Sequence, residues 1–100
     1  MRITHTVVFR LVHAPGSPAE SDFIETGRST LTGIPGVQQF QVNRQIGRKS
    51  ELALQFSMVF ADQAAYGAYN THPAHVGFVE KRWVPEVAEF SEYDFVSLEG

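Results

Sequence analysis

Residues 52–60, Leu52-Ala53-Leu54-Gln55-Phe56-Ser57-Met58-Val59-Phe60, show the clearest alternation of side chains in the chain. Every second residue is large and apolar, and the residues between them are small, polar or mixed in character. A period of two predicts a β-strand that turns one face toward a core. The residues before and after this strand predict the other elements.

The residues before this strand predict a strand, a helix and a second strand. Residues 3–12 alternate, and His5 is the one polar side chain on an otherwise apolar face. Ser17-Pro18-Ala19-Glu20 is typical of a capping box with proline at the first helical position, so a helix should follow. Its apolar stripe contains Gly27, which leaves room for a neighbouring element or for a ligand. Residues 37–46 predict a second strand, joined to residues 52–60 by a hairpin.

The residues after this strand predict one or two helices and a final strand. Asp62 is a good N-cap for a short helix that ends before Pro73. A second helix should run from about Pro73 toward Trp83, with Pro85 closing it. Residues 87–97 predict the last strand, and its apolar positions are Val87, Phe90, Tyr93 and Phe95. Because their spacing is not strictly two, we expect a bulge or a late start.

The order of elements, β-α-β-β-α-(α)-β, predicts an α+β, ferredoxin-like fold over a single domain, residues 1–100. Four antiparallel strands should carry the helices on one face of the sheet. Several residues expected on the opposite face are apolar, namely Val8, Val12, Ala53 and Val59. Since the chain has no element left to cover them, we expect a homodimer formed by sheet-on-sheet packing.

The composition excludes several classes of function. The chain has 100 residues and a formal net charge of −3, which argues against a nucleic-acid partner. It contains no cysteine, which fits a reducing cytoplasm. No apolar run is long enough for a membrane partner, and the first residues lack the layout of a signal peptide. We therefore expect a cytoplasmic globular domain.

Residues 69–78, Tyr69-Asn70-Thr71-His72-Pro73-Ala74-His75-Val76-Gly77-Phe78, are the part of the chain best suited to chemistry. Pro73 would start a new helix and place His75 in its first turn, where the helix dipole favours neutral imidazole. A neutral histidine beside Tyr69 can act as a general base. The structural alternative is a helix junction whose polar side chains cap the backbone. No metal is expected, because the segment has no carboxylate to complete a site with His72 and His75.

The chain resembles the stress-responsive A/B barrel domain family of dimeric α+β barrel proteins. The resemblance spans nearly the whole chain. It rests on His5-Thr6-Val7-Val8-Phe9, Ile34-Pro35-Gly36-Val37, Phe60-Ala61-Asp62, Tyr69 with the His72–Phe78 segment, and Tyr93-Asp94-Phe95. The combination of the tyrosine with His-Pro-Ala-His is the specific part, and the other pieces occur in the right order.

The resemblance implies a set of site residues, because the family includes a plant polyketide cyclase. Tyr69 and His75 match that enzyme's catalytic pair, with His75 as base, and His5 and His72 match its pocket histidines. His5 is expected to assist catalysis from its strand. The substrate-binding wall is then expected to comprise Val7, Phe9, Phe23, Ile24, Gly27, Leu54, Phe56 and Phe78. No cofactor is implied, and the ligand is expected to be small and apolar or aromatic.

The chain also departs from the cyclase, and two alternatives remain. A further pocket histidine of the cyclase falls near Leu54 here, and the region between Phe78 and Asp94 differs in length. The first alternative is a non-enzymatic homodimer that protects other proteins under stress or binds a small molecule. The second is the related antibiotic-monooxygenase fold, against which the His72–His75 segment argues.

Overall fold

A four-stranded antiparallel sheet is the frame of the computed structural model, which describes residues 1–99. The last residue of the predicted domain, Gly100, lies outside the described residues. The strands are β1 (Ile3–Leu11), β2 (Gln38–Arg44), β3 (Leu54–Phe60) and β4 (Val87–Phe95). They lie in the order β2-β3-β1-β4, with β1 between β3 and β4. The predicted ferredoxin-like α+β fold is confirmed.

The helices pack on one face of this sheet, which we call the inner face. They are α1 (Pro18–Thr32), α2 (Gln63–Thr71), α3 (Pro73–Phe78) and the single turn α4 (Val84–Glu86), with a π-helical segment, Val79–Trp83, between α3 and α4. Aromatic rings fill the space between the two layers. Phe23 of α1 lies against Phe9 and Phe56 of the sheet, with ring centroids 5.9 and 6.3 Å away. Burying each such ring stabilises the fold by about 1.5–3 kcal/mol.

The predicted helix starts are confirmed by their capping hydrogen bonds. The Ser17 hydroxyl accepts a hydrogen bond from the Glu20 amide at 3.2 Å, and the Asp62 carboxylate accepts one from the Ala65 amide at 2.8 Å. The Glu20 carboxylate accepts from the Gly16 amide instead of closing a capping box onto Ser17. These caps satisfy amides that have no partner inside the helix.

The predicted end of the last helix at Pro85 is wrong. Helical backbone continues through Pro85 to Glu86. The π-helical segment lies immediately before it, and the Val84 amide donates to the carbonyl of Val79, five residues back. Proline lacks an amide hydrogen, and its ring collides with the carbonyl four residues earlier in a regular helix. The wider π-helical turn accommodates that ring, and α4 ends at Glu86, one residue after Pro85.

The irregular spacing in β4 has the predicted cause. Arg10 pairs with Glu89 and Leu11 with Val87, so one extra residue bulges between them. The bulge puts Val87 and Phe90 on the same face of the strand. β2 is shorter than predicted, and Ile46 lies beyond its end with 90% of its surface exposed.

The face of the sheet turned away from the helices, which we call the outer face, is open in the described part of the chain. Cross-strand pairing places Tyr93 beside Thr6 and Phe95 beside Thr4 on this face. The two aromatic residues are 51% and 54% exposed, and their ring centroids are 6.1 Å apart. Apolar surface on a sheet face of this kind is suited to a partner.

None of the helices within residues 1–99 has the length and apolar character needed to cross a membrane.

Candidate functional site

A cavity of about 330 Å³ lies between the inner face of the sheet and the helices that follow β3. This volume is at the lower end of the range for small-molecule pockets, roughly 300–1,000 Å³. Most of its lining is apolar: Val7, Leu31, Phe56, Met58, Phe78, Val79, Trp83, Val84 and Phe90. Its polar lining residues are His5, Tyr69, Asn70, His75 and Glu92. A mostly apolar cavity with a few converging polar groups is the usual form of a ligand site.

Tyr69 and His75 meet in this cavity because the chain breaks between them. Tyr69 lies in the last turn of α2, and His75 lies in the first turn of α3, which Pro73 begins. His72 at the junction has extended backbone angles, as expected for a residue before proline. The ring centroids of Tyr69 and His75 are consequently only 4.5 Å apart.

The hydrogen bond of His75 determines which of its nitrogens is free. Its Nδ1 lies 3.0 Å from the carbonyl oxygen of Asn70. A carbonyl can only accept, so Nδ1 carries the hydrogen and Nε2 keeps its lone pair. Burial lowers the pKa of His75 below its usual value, an effect that the Asn70 hydrogen bond opposes in part. Burial is therefore the main cause that favours the neutral form of His75.

Tyr69 provides a hydrogen-bond donor beside His75. Its side chain is buried, and burial raises the pKa of its hydroxyl, so the phenol keeps its proton at neutral pH. Within residues 1–99 the structure contains no hydrogen bond from this hydroxyl to another group. The donor is thus available to an oxygen atom of a ligand in the cavity.

His5 reaches the cavity from β1 and is held by a carboxylate on the neighbouring strand. Its Nδ1 lies 2.6 Å from the Asp94 carboxylate, its cross-strand partner. The Tyr66 hydroxyl donates to both oxygens of Asp94 at 2.9 Å. Because Nδ1 points to a carboxylate, it carries the hydrogen, and Nε2 is the nitrogen left for other contacts. Asp94 and Tyr66 were missed from the sequence, since no local spacing connects them to His5.

The structure brings together six of the twelve residues predicted for the site. Those that line the cavity are His5, Val7, Phe56, Tyr69, His75 and Phe78. Four others lie in the core or pack against it without lining the cavity: Phe9, Phe23, Ile24 and Leu54.

The remaining two predicted residues, His72 and Gly27, do not line the cavity and make structural contacts instead. The Nδ1 of His72 accepts a hydrogen bond from the Ala74 amide at 3.1 Å, which caps α3. Gly27 faces two aromatic rings of the cavity lining. A methyl group added at Gly27 would meet Phe56 at 3.0 Å and Phe78 at 3.2 Å. The absence of a side chain there lets α1 approach these rings closely.

Several cavity residues were not predicted from the sequence. Trp83 and Val84 come from the helical region that was expected to end near Pro85. Phe90 and Glu92 come from β4, whose bulge obscures which residues face inward. A signal for Glu92 exists in the sequence, because it alternates with Phe90 and Asp94 on one strand face.

Known proteins resemble this chain over its whole length. The model of the stress responsive A/B barrel domain matches residues 3–97. A Dabb family protein with a ferredoxin-like fold from Mesorhizobium loti is 52% identical, over 97% of each chain, with a TM-score of 0.95. A dimeric ferredoxin-like protein from Jannaschia is 25% identical over 97% of this chain and 100% of that chain, with a TM-score of 0.75.

A hydroxynitrile lyase from Passiflora edulis shares the fold at lower identity. It is 14% identical over 99% of this chain and 95% of that chain, with a TM-score of 0.82. No curated protein matches the sequence.

Proposed function

The chain belongs to the stress-responsive A/B barrel domain family, and on that basis we propose that it is an acid–base enzyme of polyketide-cyclase type. Its substrate would be a small carbonyl or aromatic compound held in the cavity. His75 would act as the general base and Tyr69 as the hydrogen-bond donor to the carbonyl oxygen. The observation that carries the proposal is that these two side chains share one mostly apolar cavity.

The proposed step is removal of a proton from the carbon next to a carbonyl group. The Nε2 of His75 takes the proton, the electron pair of the C–H bond forms the C=C bond of an enolate, and the carbonyl oxygen takes the negative charge. Tyr69 donates a hydrogen bond to that oxygen, which stabilises the charge strongly in a site with little water. The enolate carbon can then attack a second carbonyl of the same molecule, or take the proton back.

His5 is proposed to assist from the opposite side of the cavity. Its bond to Asp94 fixes the ring with Nδ1 toward the carboxylate, so Nε2 is the nitrogen that can form a hydrogen bond with the substrate. Asp94 and Tyr66 then act as positioning residues, since they contact His5 and are not among the cavity lining residues.

We also propose that the working form is a homodimer paired through the outer face. Support comes from the exposed Tyr93 and Phe95 on that face and from dimeric relatives such as the Jannaschia protein. Sheet-on-sheet packing would bury both aromatic side chains. The cavity lies on the other face, so this pairing leaves the proposed site within each protomer.

The test is exchange of α-protons for deuterium in a simple ketone, followed by proton NMR in D2O. We expect wild type to accelerate exchange of the acetyl protons of 4-acetylbenzyl alcohol. His75→Gln should lower the catalysed rate by about 10²-fold or more, since it removes the base. Tyr69→Phe should lower it by a similar factor of about 10², since it removes the donor to the enolate oxygen.

Two matched variants control for general effects of these changes. His13→Gln removes a histidine that contacts Glu86 outside this cavity, and Tyr93→Phe removes a hydroxyl on the outer face. Both should keep the wild-type exchange rate, and thermal melts should show that all four variants are folded. If the ketone binds but no variant changes its exchange rate, the enzymatic proposal is wrong, and the family's non-enzymatic ligand-binding role is favoured.

A further inference from the structure

We infer that Glu92 sets the substrate class of the cavity: it selects ligands that carry a hydroxyl or protonated amine and excludes carboxylates. This inference rests on the proposed function, because it names the ligand of the same site. Glu92 lies on β4 opposite Val7 of β1, on the inner face. Among residues 1–99 it is the one carboxylate that lines the cavity.

The described residues give Glu92 no partner for its charge. Within residues 1–99 it makes no hydrogen bond and no ion pair, whereas its strand neighbours Glu89 and Asp94 contact Arg10 and His5. In the part of the chain that the structure describes, no lysine or arginine lines the cavity. Arg82, which precedes the lining residue Trp83, is engaged by Asp22 and Glu86. The carboxylate of Glu92 is therefore available to a ligand.

The charge of the cavity follows from its polar residues. Burial favours the neutral form of His75, and Tyr69 remains a neutral phenol, so Glu92 leaves this part of the cavity negative near pH 7. Glu92 lines the cavity and is exposed to solvent, so a ligand carboxylate beside it would meet a like charge, which is unfavourable even though water screens the repulsion in part. A hydroxyl or ammonium group would instead form a charge-assisted hydrogen bond.

The position of Glu92 along β4 also specifies where that group lies on the ligand. The inward-facing side chains follow one another as Phe90, Glu92 and Asp94, and Asp94 is level with His5. Two residues of a strand span about 7 Å. The donor group of the ligand should thus lie about one such step from the reacting carbonyl group, which the proposed function places beside Tyr69, His75 and His5. Phe90 and Trp83, with ring centroids 5.6 Å apart, offer an apolar surface beyond it.

The test is binding of three ketones that differ in one group. 4-Acetylbenzylamine, 4-acetylbenzyl alcohol and 4-acetylbenzoate place an ammonium, a hydroxyl or a carboxylate at a separation from the carbonyl comparable to the strand step. Isothermal titration gives the Kd of each for wild type, Glu92→Gln and the control Glu80→Gln. Glu80 is exposed on the neighbouring π-helical segment and is not a cavity lining residue, so its variant removes the same charge from the protein.

For wild type we expect the amine to bind at least about tenfold more tightly than the benzoate, the effect of one charge-assisted contact. Glu92→Gln should reduce this ratio to within about threefold, and Glu80→Gln should preserve it. An unchanged ratio in Glu92→Gln, or an equal reduction in Glu80→Gln, would overturn the inference. Failure of all three ketones to bind folded wild type would overturn it as well.

The two proposals fail in different ways. Charge selectivity that depends on Glu92, without any His75-dependent proton exchange, contradicts the proposed enzyme and supports this inference. Proton exchange that depends on His75, without selectivity from Glu92, contradicts this inference and leaves the enzyme standing.

Discussion

At the scale of single residues, the two histidines around Pro73 are expected to carry their hydrogens on different ring nitrogens. The Nδ1 of His75 donates to the Asn70 carbonyl, whereas the Nδ1 of His72 accepts from the Ala74 amide. Long-range ¹H–¹⁵N NMR at neutral pH should therefore show a hydrogen on Nδ1 of His75 and on Nε2 of His72. An Nε2 hydrogen on His75 would contradict its assignment as a base, and His72 serves as the internal control.

The sequence predicts well the face of the sheet on which a side chain lies, but it does not predict whether that side chain lines the cavity. The alternation in β1 and β3 placed His5, Val7 and Phe56 on the inner face, and all three line the cavity. Phe9 and Leu54 have the same pattern and are as buried as Phe56, yet neither lines the cavity. Periodicity reports the direction of a side chain, but whether it meets a cavity depends on the helices that cover that part of the sheet.

At the scale of elements, an ion pair joins α1 to the edge strand β2. The buried Glu20 carboxylate lies 2.7 Å from Arg44 and also accepts from the Gly16 amide. The hydrogen bond from Arg44 is the main cause that lowers the pKa of Glu20 below 4.5. A carboxylate with a lowered pKa stabilises the fold above its unfolded pKa, and the contribution is lost as the pH falls through the folded value.

This pair predicts a pH-dependent loss of stability in Glu20→Gln. Urea unfolding at pH 7 should show a free energy of unfolding lower than wild type by about 1–2 kcal/mol, because a charged hydrogen bond is lost. The difference should shrink below about pH 4, where wild type also becomes protonated. Glu25→Gln is the matched control on the same helix, since its exposed pair with Arg28 contributes little. A pH-independent difference would refute the role of the Glu20 charge.

The elements after α3 show where sequence patterns stop being informative. The helix passes through Pro85 because a π-helical segment precedes it, and this segment supplies Val79 and Trp83 to the cavity. Propensity alone assigns a helix end to such a proline. The bulge in β4 was expected, but its place, opposite Arg10 and Leu11, depends on pairing with a distant strand. The alternation in the sequence puts Phe90 and Glu92 on one strand face, but which face turns inward depends on that pairing.

At the scale of the whole molecule, the exposed aromatic residues of the outer face predict a dimer. Charged substitutions on that face should disrupt it. Wild type should sediment at about twice the 11.2 kDa of one chain. Tyr93→Lys combined with Phe95→Lys should sediment as a monomer, because two cations would be buried on the sheet face. Ile46→Lys, at an exposed apolar residue beyond β2, should remain dimeric. A wild-type monomer at micromolar concentration would rule out the dimer.

The proposed function gives His75 the role of general base, and one pH profile tests that proposal most directly. The measurement is the rate of α-proton exchange in 4-acetylbenzyl alcohol for wild type and His75→Gln, after subtraction of the uncatalysed rate. The pH runs from 4.5 to 8, roughly two units either side of the pKa of an ordinary histidine. A base must be neutral, and the pKa of His75 is lowered from 6.5. We predict a wild-type rate that rises with pH and is level by pH 7, and a flat, low rate for His75→Gln. A catalysed rate that falls over this range, or that survives His75→Gln unchanged, would contradict the account.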